Sequence, residues 1–241
     1  MNADRARLWT LVVERALGAP VTVAHVGAVT ITTAGVDAAG VTVTLATSPR
    51  ESLYTSDQLA ADMDDLTTTL GEGPGVDAVT SGPVLAPDLN DAWCQVRWPL
   101  FGPAAIEVGV FAVFALPLRI GGIRLGVLDL YRVRPGALAG VQLADALLLA
   151  DTVCALLLDT DIRADGQRPE GAALQHPEVH QATGMVIAQL GVSAAVALIR
   201  LRAYAYSHDQ RLRDVAADVV GRRLRFHPEH FTRGPTDSEG D

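Results

Sequence analysis

The sequence contains no lysine, and all 19 of its basic residues are arginine. Without lysine the chain has no Schiff-base nucleophile and no P-loop, so catalytic sites of these two classes are excluded. Arginine keeps the planar guanidinium group that suits the recognition of phosphates and bases. Nucleic-acid recognition is therefore still open to this sequence.

Thiols and metal ligands are also scarce. Cys94 and Cys154 lie far apart and form no CxxC pair, which predicts two buried free thiols in a reducing compartment. His176 and His180 have the four-residue spacing of helical metal ligands, but the sequence offers no evident third ligand. We therefore expect no metal site.

Long apolar runs are missing as well. The first residues, MNADRARLW, contain no signal-peptide core, and no stretch approaches about 18 uncharged apolar residues. These absences predict a cytoplasmic protein without a membrane span. An HExxH motif and a nucleophile–base pair are also lacking, so we predict no enzyme activity.

The clearest sheet signal is a pair of β-rich runs at 110–120 and 123–133. Gly121-Gly122 separates them and suits a two-residue hairpin turn. In the second run Val127, Asp129 and Tyr131 share one face. Spacing of apolar residues predicts the other elements of this half, which are helices at 4–18, 21–33, 57–70, 76–80 and 93–108, the last interrupted at Pro99 and Pro103, and strands at 41–45 and 83–86. The Thr and Val content of 21–33 leaves a strand open there, and the turn residues at 35–40 favour the helix.

A long helix is predicted at 137–159. Its apolar residues cover more than one stripe, so it is expected to pack on the sheet and also on a second copy of itself. Residues 161–175 contain Gly, Pro and acidic residues and are predicted to form a linker. Three helices follow at 177–190, 193–207 and 209–224, with Ser193 and Asp209 as predicted N-caps, and residues 227–241 are predicted to be a disordered tail.

Charge changes sign between these parts. Residues 1–176 hold 11 arginines and 20 acidic residues, a net charge of −9. Residues 177–226 hold 7 arginines and 4 acidic residues, a net charge of +3. The short helical segment is therefore where an anionic partner is expected to bind.

This helical segment resembles the ANTAR domain, an RNA-binding module of bacterial antitermination regulators. The matching residues are QATGMV at 181–186, Ala197, Leu201-Arg202, Ala205, Leu212 and Val215-Ala216. The resemblance implies that an RNA stem-loop is the partner. The residues expected to contact RNA are Arg200, Arg202, Arg211, Arg213, Tyr204, Gln181 and Thr183. Tyr206, near Tyr204, is a second candidate for base stacking.

Other interpretations of these residues stay open. The arginines can form a solvated helix face with ion pairs such as Asp218 with Arg222. Three short helices can also form a DNA-binding helix-turn-helix, or a bundle that only dimerises in a ligand-sensing module. Gly184 costs helix stability and is expected to let another helix approach closely.

The first 160 residues resemble a GAF domain, of the variant that precedes ANTAR in actinobacterial proteins. The resemblance depends on GEGP at 71–74, Trp98-Pro99 and the segments 83–88, 114–118 and 125–131. It implies an antiparallel sheet with helices on its faces, serving as a ligand pocket or a dimerisation unit. Trp93, Cys94, Trp98 and Phe101 are weak candidates for lining such a pocket, with core packing as the alternative.

The ligand itself is not determined by the resemblance. Cyclic-nucleotide GAF domains commonly use a motif that contains lysine, which this chain lacks. His25 is the one histidine before the linker that could ligate haem, and Cys94 is the candidate for attaching a bilin. We predict no cofactor and leave an unknown small-molecule ligand open.

Together these features predict an α+β protein with a GAF-like sensor domain at 1–160, a linker at 161–175 and an ANTAR domain at 176–226. The expected function is signal-responsive transcription antitermination through RNA. The expected partners are an RNA stem-loop and a second copy of the chain, which contacts the first through the 137–159 helix and the ANTAR bundle.

Overall fold

A computed structural model of the chain describes residues 2–45, 48–163 and 177–227. The chain divides into two compact units, residues 1–176 and 177–241. We call the described residues of the first the sheet unit and those of the second, 177–227, the helical unit.

The sheet unit contains seven helices and five strands among its described residues. In chain order they are α1 (Asn2–Ala16), α2 (Val23–Ala34), β1 (Ala38–Leu45), β2 (Ser48–Thr55), α3 (Gln58–Leu70), α4 (Pro74–Ser81), β3 (Val84–Ala86), α5 (Ala92–Arg97), α6 (Phe101–Val108), β4 (Ala112–Ile120), β5 (Ile123–Arg132) and α7 (Gly140–Arg163).

The five strands form one antiparallel sheet in the order β2-β1-β5-β4-β3. The predicted hairpin is confirmed, since Ile120 pairs with Ile123 and Gly121 adopts a φ of 58° in the turn. The sheet and the helices on its two faces form the architecture that the GAF resemblance implies. The predicted α+β class is therefore confirmed.

The two faces of β5 separate as the alternation predicts. Leu128 and Leu130 enter a core shared with α1, α2 and α7. Tyr131 enters the opposite core, which α3, α5 and α6 cover, and Val127 packs with Ala78 of α4 on that side. Each face of the sheet thus has its own layer of helices.

Strand β2 was not anticipated from the sequence. It pairs with β1 at the edge of the sheet, with Val41 opposite Tyr54. Its sequence, SPRESLYT, lacks the alternation of apolar residues because an edge strand buries few side chains. One interruption of the 93–108 helix was also wrong: Pro103 lies in the first turn of α6, where its missing N–H costs no helical hydrogen bond.

Helix α7 packs on the sheet, as predicted. Leu149 and Val153 are fully buried against it, and both carboxylate oxygens of Asp145 accept hydrogen bonds from Arg7 of α1 at 2.7 Å. By length and composition alone, residues 140–159 of this helix could cross a membrane, contrary to the expectation that no stretch could. The structure places α7 as a helix on the sheet core of a folded domain.

The helical unit consists of α8 (Pro177–Leu190), α9 (Ala194–Ser207) and α10 (Leu212–Val220). The bend between α8 and α9 is 106°. Taken together, these two helices are also long and apolar enough to cross a membrane, again by length and composition alone. Ser193 caps α9, as predicted, because its hydroxyl accepts a hydrogen bond from the Val196 N–H. Asp209 does not cap the third helix: its φ is 51°, and Arg211 holds the N-cap position of α10.

The helical unit has a core of its own. Its buried members are small or branched aliphatic residues, namely Val179, Ala182, Val186, Ala197, Leu201, Ala205, Leu212, Val215, Ala216 and Val219. Helix α7 extends to Arg163, into the predicted linker. The rest of that linker, and the predicted tail after His227, lie outside the described residues.

Candidate nucleic-acid interface

The arginines nominated for RNA contact lie on two neighbouring elements. Arg200 and Arg202 are half-buried on the middle turns of α9. Arg211 is exposed at the N-cap of α10, and Arg213 is half-buried in its first turn, with Nε 3.9 Å from a carboxylate oxygen of Asp214. All four guanidinium groups are therefore at least partly at the surface.

Three more arginines follow α10. Arg222, Arg223 and Arg225 are exposed, and Arg222 adopts a φ of 59°, which ends the helix. The spacing of a continuous helix suggested an ion pair between Asp218 and Arg222, and the end of the helix prevents it. Asp218 instead pairs with Arg223, whose Nε donates to its carboxylate at 2.7 Å.

Tyr204 is enclosed by other rings. The His208 ring stacks on it with a centroid distance of 3.9 Å and an interplanar angle of 14°. Phe226 meets it edge-on at 5.7 Å, and the Phe226 N–H donates to the side chain of Gln189 on α8. Tyr204 thus holds the segment after α10 in place, and one of its faces is already occupied.

The two nominated residues of α8 differ in exposure. Gln181 is exposed. Thr183 is only 7% exposed, and its hydroxyl donates to the Val179 carbonyl at 2.7 Å. Because its polar atom is used inside the helix, we leave Thr183 out of the interface. Contrary to expectation, no helix of the described chain packs closely against Gly184, since a Cβ placed there would meet nothing within 4 Å.

Three of the four candidates for a ligand pocket in the sheet unit are core residues. Cys94, Trp98 and Phe101 are buried among the side chains between the sheet and helices α3, α5 and α6. Trp93 is largely exposed and meets Trp98 edge-on at 5.3 Å. These positions show the core packing that the sequence left as the alternative.

Two surface hollows of the sheet unit lie elsewhere. One, of about 420 Å³, lies between α1 and α2 and includes Glu14 and Arg15. The other, of about 560 Å³, lies between α7 and β4 and includes Arg119 and Asp151. Neither is lined by the four aromatic and thiol candidates.

The GEGP motif has a structural role that the sequence did not reveal. A carboxylate oxygen of Glu72 accepts hydrogen bonds from the N–H groups of Leu100 and Phe101, each at 2.6 Å, and so caps the start of α6. Gly73 has a φ of 125°, and a Cβ there would come within 2.9 Å of the Phe101 ring. The motif therefore joins α4 to α6.

The sheet unit also buries a polar cluster that sequence reasoning missed. Arg50 of β2 donates to Asp129 of β5 at 3.2 Å and to the hydroxyl of Thr42 on β1 at 3.3 Å, and that hydroxyl donates to Asp64 of α3. Within the described part of the chain, Nε and Nη1 of Arg50, Oγ of Ser52 and Oδ1 of Asp129 make no hydrogen bond. Asp129 on the inward face of its strand was the signal that could have indicated this cluster.

Burial dominates the electrostatics of the cluster. Loss of hydration raises the pKa of the Asp129 carboxyl to about 6; the Arg50 charge opposes this shift, and the nearby Asp64 charge adds to it. Gly75, near the start of α4, lies so close that a Cβ there would be 2.6 Å from Oδ1 of Asp129. The carboxyl group is thus held in a space that admits only a glycine.

Cofactor and metal candidates take ordinary structural positions. Nδ1 of His25 accepts a hydrogen bond from the Thr22 N–H and forms the capping box of α2. Across residues 2–45, 48–163 and 177–227, no group of three His, Cys, Asp or Glu side chains is placed to hold a metal ion. Cys94 and Cys154 are both buried free thiols, as predicted. His176 lies outside the described residues.

Comparison with known families identifies the helical unit. Residues 170–220 match the model of the ANTAR domain. The match contains all of α8, α9 and α10, and with them the four arginines nominated for RNA contact. The chain therefore contains an ANTAR domain, an RNA-binding antitermination module that is regulatory rather than catalytic.

Several solved structures are similar to the chain at low identity. The GAF domain of a phosphoenolpyruvate-protein phosphotransferase from Coxiella burnetii is 15% identical with a TM-score of 0.48, over 67% of this chain and 96% of that one. The chromophore-binding domain of a Stigmatella aurantiaca bacteriophytochrome is 10% identical with a TM-score of 0.45, over 64% and 60%. SdiA in complex with octanoyl-rac-glycerol is 15% identical with a TM-score of 0.48, over 94% and 97%. No curated protein matches the chain.

Proposed function

We propose that this chain, which carries an ANTAR domain at residues 170–220, is a cytoplasmic RNA-binding regulator of transcription antitermination that responds to a signal at its sheet unit. The observation that carries the proposal is the segregation of charge. Residues 177–226 have a net charge of +3 beside an acidic remainder, and none of their seven arginines is buried. A compact basic surface on an acidic protein favours a polyanion as its partner.

RNA is the polyanion that fits this surface best. Arg200 and Arg202 lie on α9, which exposes aromatic and apolar side chains as well, and an RNA stem-loop offers phosphates together with unpaired bases. Duplex DNA hides its base faces by stacking. The bound stem-loop would be stabilised against the competing terminator fold, which is the antitermination outcome that the ANTAR domain implies.

Helix α7 is the proposed route for a signal and part of a homodimer interface. On this helix Val141 and Leu147 are exposed, and Trp9 and Val13 of neighbouring α1 are exposed as well. Exposed apolar side chains on two adjacent helices favour contact with another protein surface. A second copy of the chain bound there would present two basic helical units to one RNA.

The buried Arg50–Asp129 cluster supports a sensory role for the sheet unit. Its unsatisfied polar atoms are costly in a core, so they favour a polar small molecule as the signal. A signal acting there would change the packing of α3 and α4 on the sheet. We propose no enzyme activity for this unit.

The proposal is tested with a mobility-shift titration of the full chain at 0.1 M salt. The probes are stem-loop RNAs from a pool with randomised loops and duplex DNA of equal length. Replacing Arg200, Arg202, Arg211 and Arg213 by Gln removes charge but keeps most of each aliphatic stem, and it should weaken stem-loop binding about a hundredfold.

The matched control removes the same charge from the sheet unit. Arg15, Arg119, Arg124 and Arg134 are exposed there, and their replacement by Gln should leave affinity within about twofold. Preference of the wild type for duplex DNA would indicate a DNA-binding regulator. Equal RNA affinity of both quadruple variants, in folded protein, would indicate a ligand-sensing dimer.

A further inference from the structure

Helix α9 has two apolar faces. One contains Ala197, Leu201 and Ala205, which are fully buried in the helical unit. The opposite face contains Ile199 at 60% exposed, Tyr206 at 58% and Val196 at 37%, together with the exposed Ala203. A helix at the surface of a protein usually has a charged or polar face opposite its buried face. A helix that is apolar on both faces is therefore expected to be in contact with other molecules or elements on both.

These four exposed residues form one continuous stripe. Their positions, 196, 199, 203 and 206, have the three- and four-residue spacing that aligns side chains along a helix. At about 100° per residue, Arg200 borders the stripe on one side and Arg202 on the other, roughly 160° apart around the helix axis. The α9 stripe is thus an apolar and aromatic surface between two cations.

The α8 and α10 surfaces differ from the α9 stripe. The exposed positions of α8 include Gln181 and Gly184, and those of α10 include Asp214 and Ala217. Neither helix has an exposed large apolar side chain among its residues. The stripe is therefore a local feature of α9 and not a general property of the unit.

Charge argues against a second copy of α9 as the occupant of the stripe. The helix contains two arginines and no acidic residue. Two α9 helices packed stripe to stripe would bring four guanidinium groups together without a carboxylate from either helix. An occupant with negative charge at its edges and flat apolar faces is favoured, and unpaired RNA bases on their phosphate backbone have this combination.

The aromatic residues agree with this occupant. Of the two tyrosines that the sequence nominated for base stacking, Tyr204 already has His208 stacked on it. Tyr206 lies on the stripe, is exposed, and makes no ring contact with another aromatic residue in the described part of the chain. Stacking of bases on exposed rings contributes strongly to single-strand binding.

We propose that the α9 stripe is the platform on which unpaired loop bases stack, with Ile199 and Tyr206 as its two most exposed large side chains and Arg200 and Arg202 on the flanking phosphates. This inference rests on the proposed function in RNA binding. It assigns recognition of the loop to α9 and selects Tyr206, of the two candidate tyrosines, as the stacking residue.

The test uses the full chain and two probes, a stem-loop RNA selected by the wild type and the same stem closed as a fully paired duplex RNA. The double variant Tyr206→Ser with Ile199→Ser removes the platform without changing charge. It should lose about tenfold or more in affinity for the stem-loop and little for the duplex. Both side chains are exposed, so circular dichroism should show an unchanged fold.

Two further measurements separate a stacking role from a structural one. Tyr206→Phe keeps the ring and should retain stem-loop affinity within about twofold. With 5-iodouridine in the loop, ultraviolet crosslinking should attach RNA to the peptide that contains Tyr206 in the wild type, and this product should be lost in the serine variant.

The outcomes distinguish this inference from the proposed function. If the double variant keeps wild-type stem-loop affinity while the four-arginine variant loses it, the stripe proposal is wrong and RNA binding stands. If the double variant becomes monomeric where the wild type is dimeric, the stripe is an interface between copies and the proposal is overturned. If the wild type binds neither RNA, both proposals fail.

Discussion

The two units of this protein place their charged groups in opposite ways. The sheet unit buries four carboxylates, Asp64, Asp65, Asp129 and Asp145. In the described part of the helical unit every charged residue is at least partly exposed, and Thr183 is the one polar side chain that is buried. Buried polar groups can respond to a small change nearby, whereas exposed cations can bind a large anion. This contrast fits a sensor joined to an effector.

The largest expected effect comes from Gly126, which should break the sheet unit alone. A Cβ at this position would overlap the backbone oxygen of Thr42 and lie 2.8 Å from the Val43 Cα on β1. Because both obstacles are backbone atoms of a paired strand, Gly126→Ala should lower the free energy of unfolding by about 3 kcal/mol or more. Urea unfolding followed by tryptophan fluorescence measures it, since Trp9, Trp93 and Trp98 all lie in the sheet unit.

The matched variant for the helical unit is Leu201→Ala. Leu201 is fully buried, and its truncation should cost about 3 kcal/mol in that unit while the tryptophan transition stays unchanged. Hydrogen exchange of amides in α8 and α10 should accelerate in Leu201→Ala and not in Gly126→Ala. A single transition shifted by both variants would contradict the independence of the two cores.

An intermediate effect concerns the pH dependence of the sheet unit. The Asp129 pKa is raised from about 4 to about 6, so between these values the folded state holds a proton that the unfolded state has lost. As the pH rises through this window, the wild type should lose stability relative to Asp129→Asn, by at most about 1.4 kcal/mol per pH unit. The difference should be constant above about pH 6.

Urea unfolding of both proteins between pH 4 and 7, again by tryptophan fluorescence, checks this expectation. Groups that titrate in both proteins cancel in the difference. A difference that does not change over this range, or that favours the wild type as the pH rises, would show that Asp129 is charged in the folded core.

The smallest expected effect sharpens the description of α8. Gly184 lies in the middle of the helix with open space at its Cβ, so Gly184→Ala should stabilise the helical unit by about 1 kcal/mol. Gly191 also has open space but a φ of 66°, and Gly191→Ala should destabilise the unit by a similar amount. Amide exchange in α8 measures both, and equal signs for the two variants would contradict the assignment.

Elements with strong local signals were predictable. The hairpin of β4 and β5 followed from two β-rich runs around Gly121-Gly122, and Ser193 was identified as a cap from its position alone. Strand β2 was not, because this edge strand buries few side chains and its sequence, SPRESLYT, has no regular alternation of apolar residues. Asp209 was a reasonable cap by residue type, but the turn after α9 needs a residue with positive φ, and Asp209 takes that role.

The candidate site was predictable in charge and not in detail. The arginines could be counted along the sequence, and their partial exposure follows from the cost of burying unpaired charge. Nothing in the sequence distinguished Tyr204 from Tyr206. The ring contacts of Tyr204 come from His208 and from Phe226, which follows α10, so they depend on how the chain returns after that helix.

The order of charges, the lack of lysine and the spacing of apolar residues are properties of the chain itself, and they sufficed to indicate an acidic unit followed by a basic three-helix unit. Which polar side chains are buried, as with Arg50 beside Asp129, and which apolar side chains remain exposed, as on α9, was decided only by tertiary structure. The physical reason is that helix and strand preference depends on neighbours along the chain, whereas burial depends on residues that are distant in sequence and adjacent in space.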